Sequence, residues 1–229
     1  MDNKLCWVCL VEPASTGEHK FPYSYLKKIP DDWRGIAHGR WDGQSFKPTT
    51  QGPNSRNLKL KVLCANCNNH KTQAQDYAVN ALISDIKDGE AEVWSSRMVD
   101  LGKFDTLNLY RGLIKMEFSR LYADGVSVIP EVSSFVNGGG DWRAVNKHVR
   151  IEFRAAEGAK IYGLVYPFDS NAPYYSNPYF ISHQINFGWF GVHFLYAPGD
   201  RPELAWPSWS FGSVALLPGD LDPSFIPRL

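Results

Sequence analysis

A chain of 229 residues that is 44% hydrophobic and 21% charged, with eight Trp, eleven Tyr and thirteen Phe, can bury a real core; global disorder is excluded. The length suits one large domain or two modest ones. The net charge of zero hides an asymmetry: residues 1–75 carry 11 Lys+Arg against 6 Asp+Glu, a net of +5, and residues 76–229 carry 13 against 18, a net of −5. A basic front part is what a phosphate-backbone binder needs, although five charges over 75 residues is a modest excess.

No apolar run of signal-peptide length opens the sequence and no transmembrane candidate follows it. The expected setting is the cytoplasm, with no membrane partner.

Taken in order, residues 4–11 form a short strand or knuckle around Cys6 and Cys9, and Pro13, Ser15, Thr16 and Gly17 predict a turn. Glu18 to Phe21 is a short extended piece, with Phe21 biased toward β or polyproline geometry by Pro22. Tyr23 to Lys28 has room for about one and a half helical turns before Pro30. Residues 30–57, rich in Gly, Pro, Asn and Thr, read as an ordered loop pinned by Trp33, Trp41 and Phe46. Leu58, Leu60 and Val62 then alternate with Lys59 and Lys61, a half-buried strand that delivers Cys64. A helix is expected from about Asn68 or Asn69, continuing through or followed by one over 76–87 that Asp88-Gly89 ends.

The clearest helix is 106–123, where Leu107, Tyr110, Ile114, Phe118 and Leu121 should face the core and Glu117 lies at the edge of that stripe, solvent-facing or paired. Residues 124–141 are mixed, with a turn or mobile loop at Asn137-Gly138-Gly139-Gly140. Alternating or aromatic runs at 149–154, 159–166, 179–187, 189–196 and 209–217 predict a mostly antiparallel sheet of four or five strands packed on that helix. The fold class expected is α+β, with an N-terminal metal module over 1–75 and an α+β domain over 76–229.

The chemistry starts from the cysteines. Cys6-Trp7-Val8-Cys9 and Cys64-Ala65-Asn66-Cys67 use every cysteine in the chain, and two such knuckles complete a tetrahedral thiolate site suited to Zn²⁺. Four free buried thiols or a redox pair are the duller alternatives. Glu18-His19-Lys20-Phe21-Pro22 lies between the knuckles, and Asn68-Asn69-His70-Lys71 follows the second.

That order of motifs over about residues 4–75 resembles the zinc-stapled HNH endonuclease family, whose treble-clef or ββα-metal fold holds one catalytic divalent cation. The resemblance implies Glu18 as a metal ligand where the family usually has Asp or His, and His19 as the general base. It implies Asn57 (or Asn54) as the amide that orients the base, with Asn57 two residues further from Cys64 than the commonest spacing. Asn68 stands where the family commonly has a metal-binding His, His70 is an alternative ligand, and Lys71 matches the family's lysine. A carboxylate and an amide suit Mg²⁺ or Mn²⁺. Arg56, Lys59 and Lys61 are the candidates for holding the nucleic-acid backbone.

The resemblance thus implies a metal-dependent endonuclease acting on nucleic acid, above all double-stranded DNA, in restriction or phage defence. Target selection, homodimerisation or regulation would fall to residues 76–229. Each residue also has a plainer use: Glu18 pairing with Lys20, Asn68 capping a helix, Lys71 as a surface lysine, His183 and His193 as core or interface histidines. Two rivals follow, a non-catalytic zinc module that binds DNA or RNA, and a protein-interaction role in which the zinc module is a folding staple and 174–212 exposes an apolar patch.

Overall fold

The computed structural model describes residues 4–27, 39–41, 46–48, 58–156, 167–170, 181–197 and 212–219. Most of the loop expected over 30–57, including Arg56 and Asn57, the run 159–166 and much of 174–212 therefore lie outside the described residues, and the described part of 30–57 is two short paired strands where no regular structure is expected.

The chain is α+β, as the patterns predict. The first knuckle is closed by the isolated Leu5–Pro13 bridge and by Cys6 N donating to Glu12 O at 2.8 Å, with Leu10 at φ 58° in the turn. Strand β1 (Thr16–His19) pairs antiparallel with β4 (Lys59–Leu63), placing His19 opposite Lys59 and Glu18 opposite Leu60. Thr16 and Gly17 thus belong to a strand and not to the expected turn. Thr16 Oγ1 donates to Leu63 O at 2.9 Å, and the register slips between Thr16 and Gly17. Helix α1 (Tyr23–Lys27) follows Pro22, and a two-stranded ladder joins β2 (Gly39–Trp41) to β3 (Phe46–Pro48).

The helical path after the second knuckle starts earlier than expected, at Ala65, and passes through a π turn at Cys67–Lys71 before α2 (Gln73–Asp88). Helix α3 (Glu90–Ser96) and strand β5 (Met98–Asp100) then lead into α4 (Thr106–Ala123), which Asp105 caps by accepting from Asn108 N. Short helix α5 (Pro130–Val136) occupies part of the stretch that sequence left mixed, and α6 (Trp142–Asn146) follows directly after that stretch.

Strands β6 (Val149–Ala156), β7 (Pro167–Ser170), β8 (Ile181–Phe187) and β9 (Phe190–Tyr196) make a sheet with β11 (Leu217–Gly219) in the order β11-β6-β9-β8-β7. All its pairings are antiparallel except β11 on β6, while β10 (Ser213–Ala215) leaves to pair with β5.

Period-two alternation gives this sheet two faces. Phe153, Ile185, Val192, Phe194 and Tyr196 are buried, and Phe118 of α4 meets Tyr196 edge-on at 4.7 Å. On the other face Glu152, His193 and Gln184 share one row across three strands. Helix α4 is the hub of the core. Residues 112–121 are buried all round, which is why Glu117 does not reach solvent: it pairs with buried His183 instead. Helices α2 and α4 cross closely at Gly112, where a Cβ would come within 2.6 Å of Gln75 O. That close crossing brings Asp76 of α2 up to Lys115 of α4.

Candidate functional site

Each knuckle contributes two thiols, and the four Sγ atoms of Cys6, Cys9, Cys64 and Cys67 all lie within 4.8 Å of one another. Tetrahedral bonds of about 2.3 Å would set sulfurs about 3.8 Å apart, and Cys9 Sγ lies 3.9 Å from Cys64 Sγ. The backbone supports the cluster, with Cys67 N donating to Cys64 Sγ at 3.4 Å.

Burial pushes the Cys64 and Cys67 thiols up. For Cys9 burial acts in the same sense but is outweighed by hydrogen bonds from the backbone of Glu12 and Val11, which bring it down to about 7. Buried thiols that resist ionisation while clustered at ligand spacing are what a metal ion stabilises. The four cysteines could therefore hold a metal ion, as a structural zinc site does.

The cluster is locked to the rest of the molecule. Trp7, fully buried between Cys6 and Cys9, donates Nε1–H to Ser119 Oγ of α4 at 3.3 Å and lies 6.2 Å from the Phe118 ring.

Beside the cluster is a cavity of about 220 Å³ whose lining includes Glu18, His19, Tyr23, Asn68, Asp76 and Asn80. Three of the residues singled out by sequence, Glu18, His19 and Asn68, thus border one space. Being consecutive on β1, Glu18 and His19 leave the strand on opposite faces. His19 stacks on Tyr23, ring centroids 4.9 Å apart, and its Nε2 is buried without a hydrogen-bond partner. Burial, with Lys59 beside it, pulls the His19 pKa below the usual value, which leaves the imidazole neutral at neutral pH.

Glu18 turns toward α4. Its Oε1 lies 3.1 Å from Nζ of Lys115, which is 1% exposed. The same ammonium donates to Asp76 Oδ1 and Oδ2 at 2.7 and 2.8 Å and to Thr72 Oγ1 at 3.1 Å. Burial raises the pKa of both carboxylates against the pull of Lys115, and the two carboxylates raise that of Lys115 against its own burial.

The catalytic cation expected at Glu18 therefore meets an ammonium already there. Among the described residues, no group of His, Cys, Asp or Glu other than the four cysteines converges at ligand spacing. His70 is exposed and does not border the cavity, so it joins neither Glu18 nor Asn68. Lys71 is also exposed, donating to Asn137 Oδ1 at 3.3 Å. The residues present do not fit a divalent cation held by Glu18, Asn68 and His70.

Lys59 and Lys61 lie exposed on β4, Lys59 opposite His19. Sequence reasoning missed Lys115, Asp76 and Thr72. The periodicity carried no signal for Lys115: at about 100° per residue it falls off the side of the apolar stripe, and it is buried because α4 is enclosed all round.

Among the described residues, no helix is long and apolar enough to cross a membrane. No protein-family model matches the chain, and no curated protein or solved structure gives a significant match to it.

Proposed function

We propose that this protein hydrolyses phosphodiester bonds in nucleic acid, double-stranded DNA in the first instance, as an HNH-like endonuclease whose Cys6, Cys9, Cys64 and Cys67 hold a structural Zn²⁺. The observation that carries the proposal is a neutral, stacked imidazole at the edge of a polar cavity, on a strand whose partner carries exposed lysines. Zinc on four thiolates has no open position, so it supplies folding energy and no chemistry.

In the proposed reaction His19 takes a proton from a water molecule as its oxygen attacks phosphorus. The P–O bond on the far side breaks, and the departing oxygen is protonated from solvent. Tyr23 fixes the imidazole plane. Lys59 and Lys61 hold the phosphate backbone, setting register without reading sequence. Lys59, whose charge adds to burial in keeping His19 neutral, would also attract a phosphate brought up to the imidazole.

The test is nicking of supercoiled plasmid by the zinc-loaded chain, with and without added Mg²⁺ or Mn²⁺. His19→Ala should lower the rate by about 10²- to 10⁴-fold with DNA binding retained. Lys59→Ala and Lys61→Ala should weaken binding and flatten its salt dependence. No cleavage under any of these conditions, or His19→Ala cleaving like wild type, would overturn the reading.

One observation favours a second reading, a zinc module that binds nucleic acid without cutting it: Lys115 already neutralises the carboxylate on which metal-assisted hydrolysis would depend. That reading predicts salt-sensitive DNA or RNA binding and no cleavage by wild type.

A further inference from the structure

Lys115 is surrounded much as a small metal ion would be. Four oxygens from three residues, Glu18 Oε1 on β1, Asp76 Oδ1 and Oδ2 on α2, and Thr72 Oγ1 just before α2, lie between 2.7 and 3.1 Å from its Nζ. The ammonium has three protons, and these oxygens use all of them. Its side chain is 1% exposed, so it is a fixed part of the interior and not a mobile surface charge. Both carboxylates border the cavity next to His19, and Lys115 reaches them from behind, from the buried face of α4.

We propose that Lys115 is the resident cation of this centre: its ammonium holds the place between Glu18 and Asp76 that a divalent metal would take, and among the described residues only the four cysteines hold a metal. The inference deepens the hydrolase reading by stating which cation serves the cavity, and it rests on that reading only for the chemistry at His19.

The physical reason is charge. Two carboxylates and one ammonium leave the cluster at −1, so the drive to bind a divalent ion is small. An ion seated on the same oxygens would also face the Lys115 charge at close range in a poorly screened site. Removing the ammonium while keeping the methylene stem, as in Lys115→Met, leaves the partly exposed carboxylates of Glu18 and Asp76 without the cation that both of them bond. A divalent cation is the ready replacement. Lys115 is thus a positioning residue, fixing both carboxylates without touching substrate.

Mn²⁺ binding to the zinc-loaded full chain, followed by electron paramagnetic resonance, tests the inference independently of cleavage. Wild type should bind no Mn²⁺ tightly. Lys115→Met should bind one Mn²⁺ at least about tenfold more tightly than wild type, and Lys115→Met with Glu18→Gln should lose that gain. Folding of each variant is checked by circular dichroism and thermal unfolding. Tight binding of one Mn²⁺ by wild type that Glu18→Gln abolishes would overturn the proposal, and so would a folded Lys115→Met variant with unchanged affinity. Should Lys115→Met fail to fold, the wild-type and Glu18→Gln titrations still decide the matter. A wild type that cleaves nothing but shows this pattern of Mn²⁺ binding sinks the hydrolase and upholds the resident lysine.

Discussion

Glu117 Oε2 accepts a hydrogen bond from His183 Nδ1 at 2.6 Å, with both side chains sealed from solvent, and this contact joins α4 to β8 of the C-terminal sheet. A buried pair of this kind is costly to break on one side only, because the surviving partner stays dry and unsatisfied. Glu117→Gln keeps an acceptor of the same shape and should cost about 1 kcal/mol. Glu117→Ala removes it, leaves a void, and should cost about 2–4 kcal/mol. Urea unfolding of the two variants reads the difference; equal losses would mean that the pair contributes packing alone.

Gly112 sets the distance between α2 and α4. A Cβ there would lie 2.6 Å from Gln75 O and 2.7 Å from Val79 Cγ2, so the helices would have to separate. Gly112→Ala should destabilise by about 1–3 kcal/mol, despite the gain in helix propensity that alanine brings elsewhere. Gly212→Ala, with nothing among the described residues within 4 Å of the new methyl, is the control and should stay within about 0.5 kcal/mol. A Gly112→Ala variant as stable as the control would show that the crossing yields easily.

These contacts show where the sequence was legible. The 3.6-residue stripe of 106–123 placed α4, and the alternation after Val149 placed the sheet, because both record which side chains must leave water. The four cysteines were legible because metal spacing is written locally. Glu117 was readable only as an edge residue, since its partner His183 is 66 positions away and periodicity says nothing about what lies opposite. Lys115 was missed for the same reason: it lies off the stripe, its burial comes from the elements packed round α4, and only the crossing at Gly112 brings Asp76 to it. Thr16 and Gly17 looked like a turn because their residue types favour one, yet pairing with Leu63 and Lys61 draws them into β1. For the cavity, neighbours in sequence mattered less than expected, as Glu18 and His19 serve different faces of one strand.

Removing the metal should loosen the first seventy residues before the sheet. The wild type is expected to carry one equivalent of zinc by mass spectrometry. Cys64→Ser, or chelation of the wild type, should lower the thermal midpoint and free Trp7 from its contact with Ser119. That release is read as a red shift in tryptophan emission that a Trp7→Phe chain does not show. Four cysteines that bind no metal and whose chelation leaves the midpoint unmoved would remove the zinc staple.

The polar face of the sheet carries a pH dependence whose sign follows from His193 and Glu152. Burial is the main reason the His193 pKa lies below its usual 6.5, reinforced by Arg154 and opposed by Glu152. Burial acts to raise Glu152, but hydrogen bonds from Arg154 and His193, with the charges of Arg150 and Arg154, outweigh it and hold the carboxyl below its usual 4.5. Both groups bind protons less readily folded than unfolded. Their contribution to stability is therefore fully present above the unfolded values and is lost as pH falls toward the folded ones. For His193 the loss begins near pH 6.5, and for Glu152 near pH 4.5. Buried His19 contributes in the same direction, whereas the raised carboxyls of Glu18 and Asp76 work against it, so the total slope mixes several groups. The difference between wild type and His193→Gln isolates one of them. Urea midpoints measured from pH 7.5 to 5 should fall more steeply for wild type than for His193→Gln, and the two curves should converge as the pH drops. Parallel curves across that range would mean that His193 titrates in the fold as it does in water.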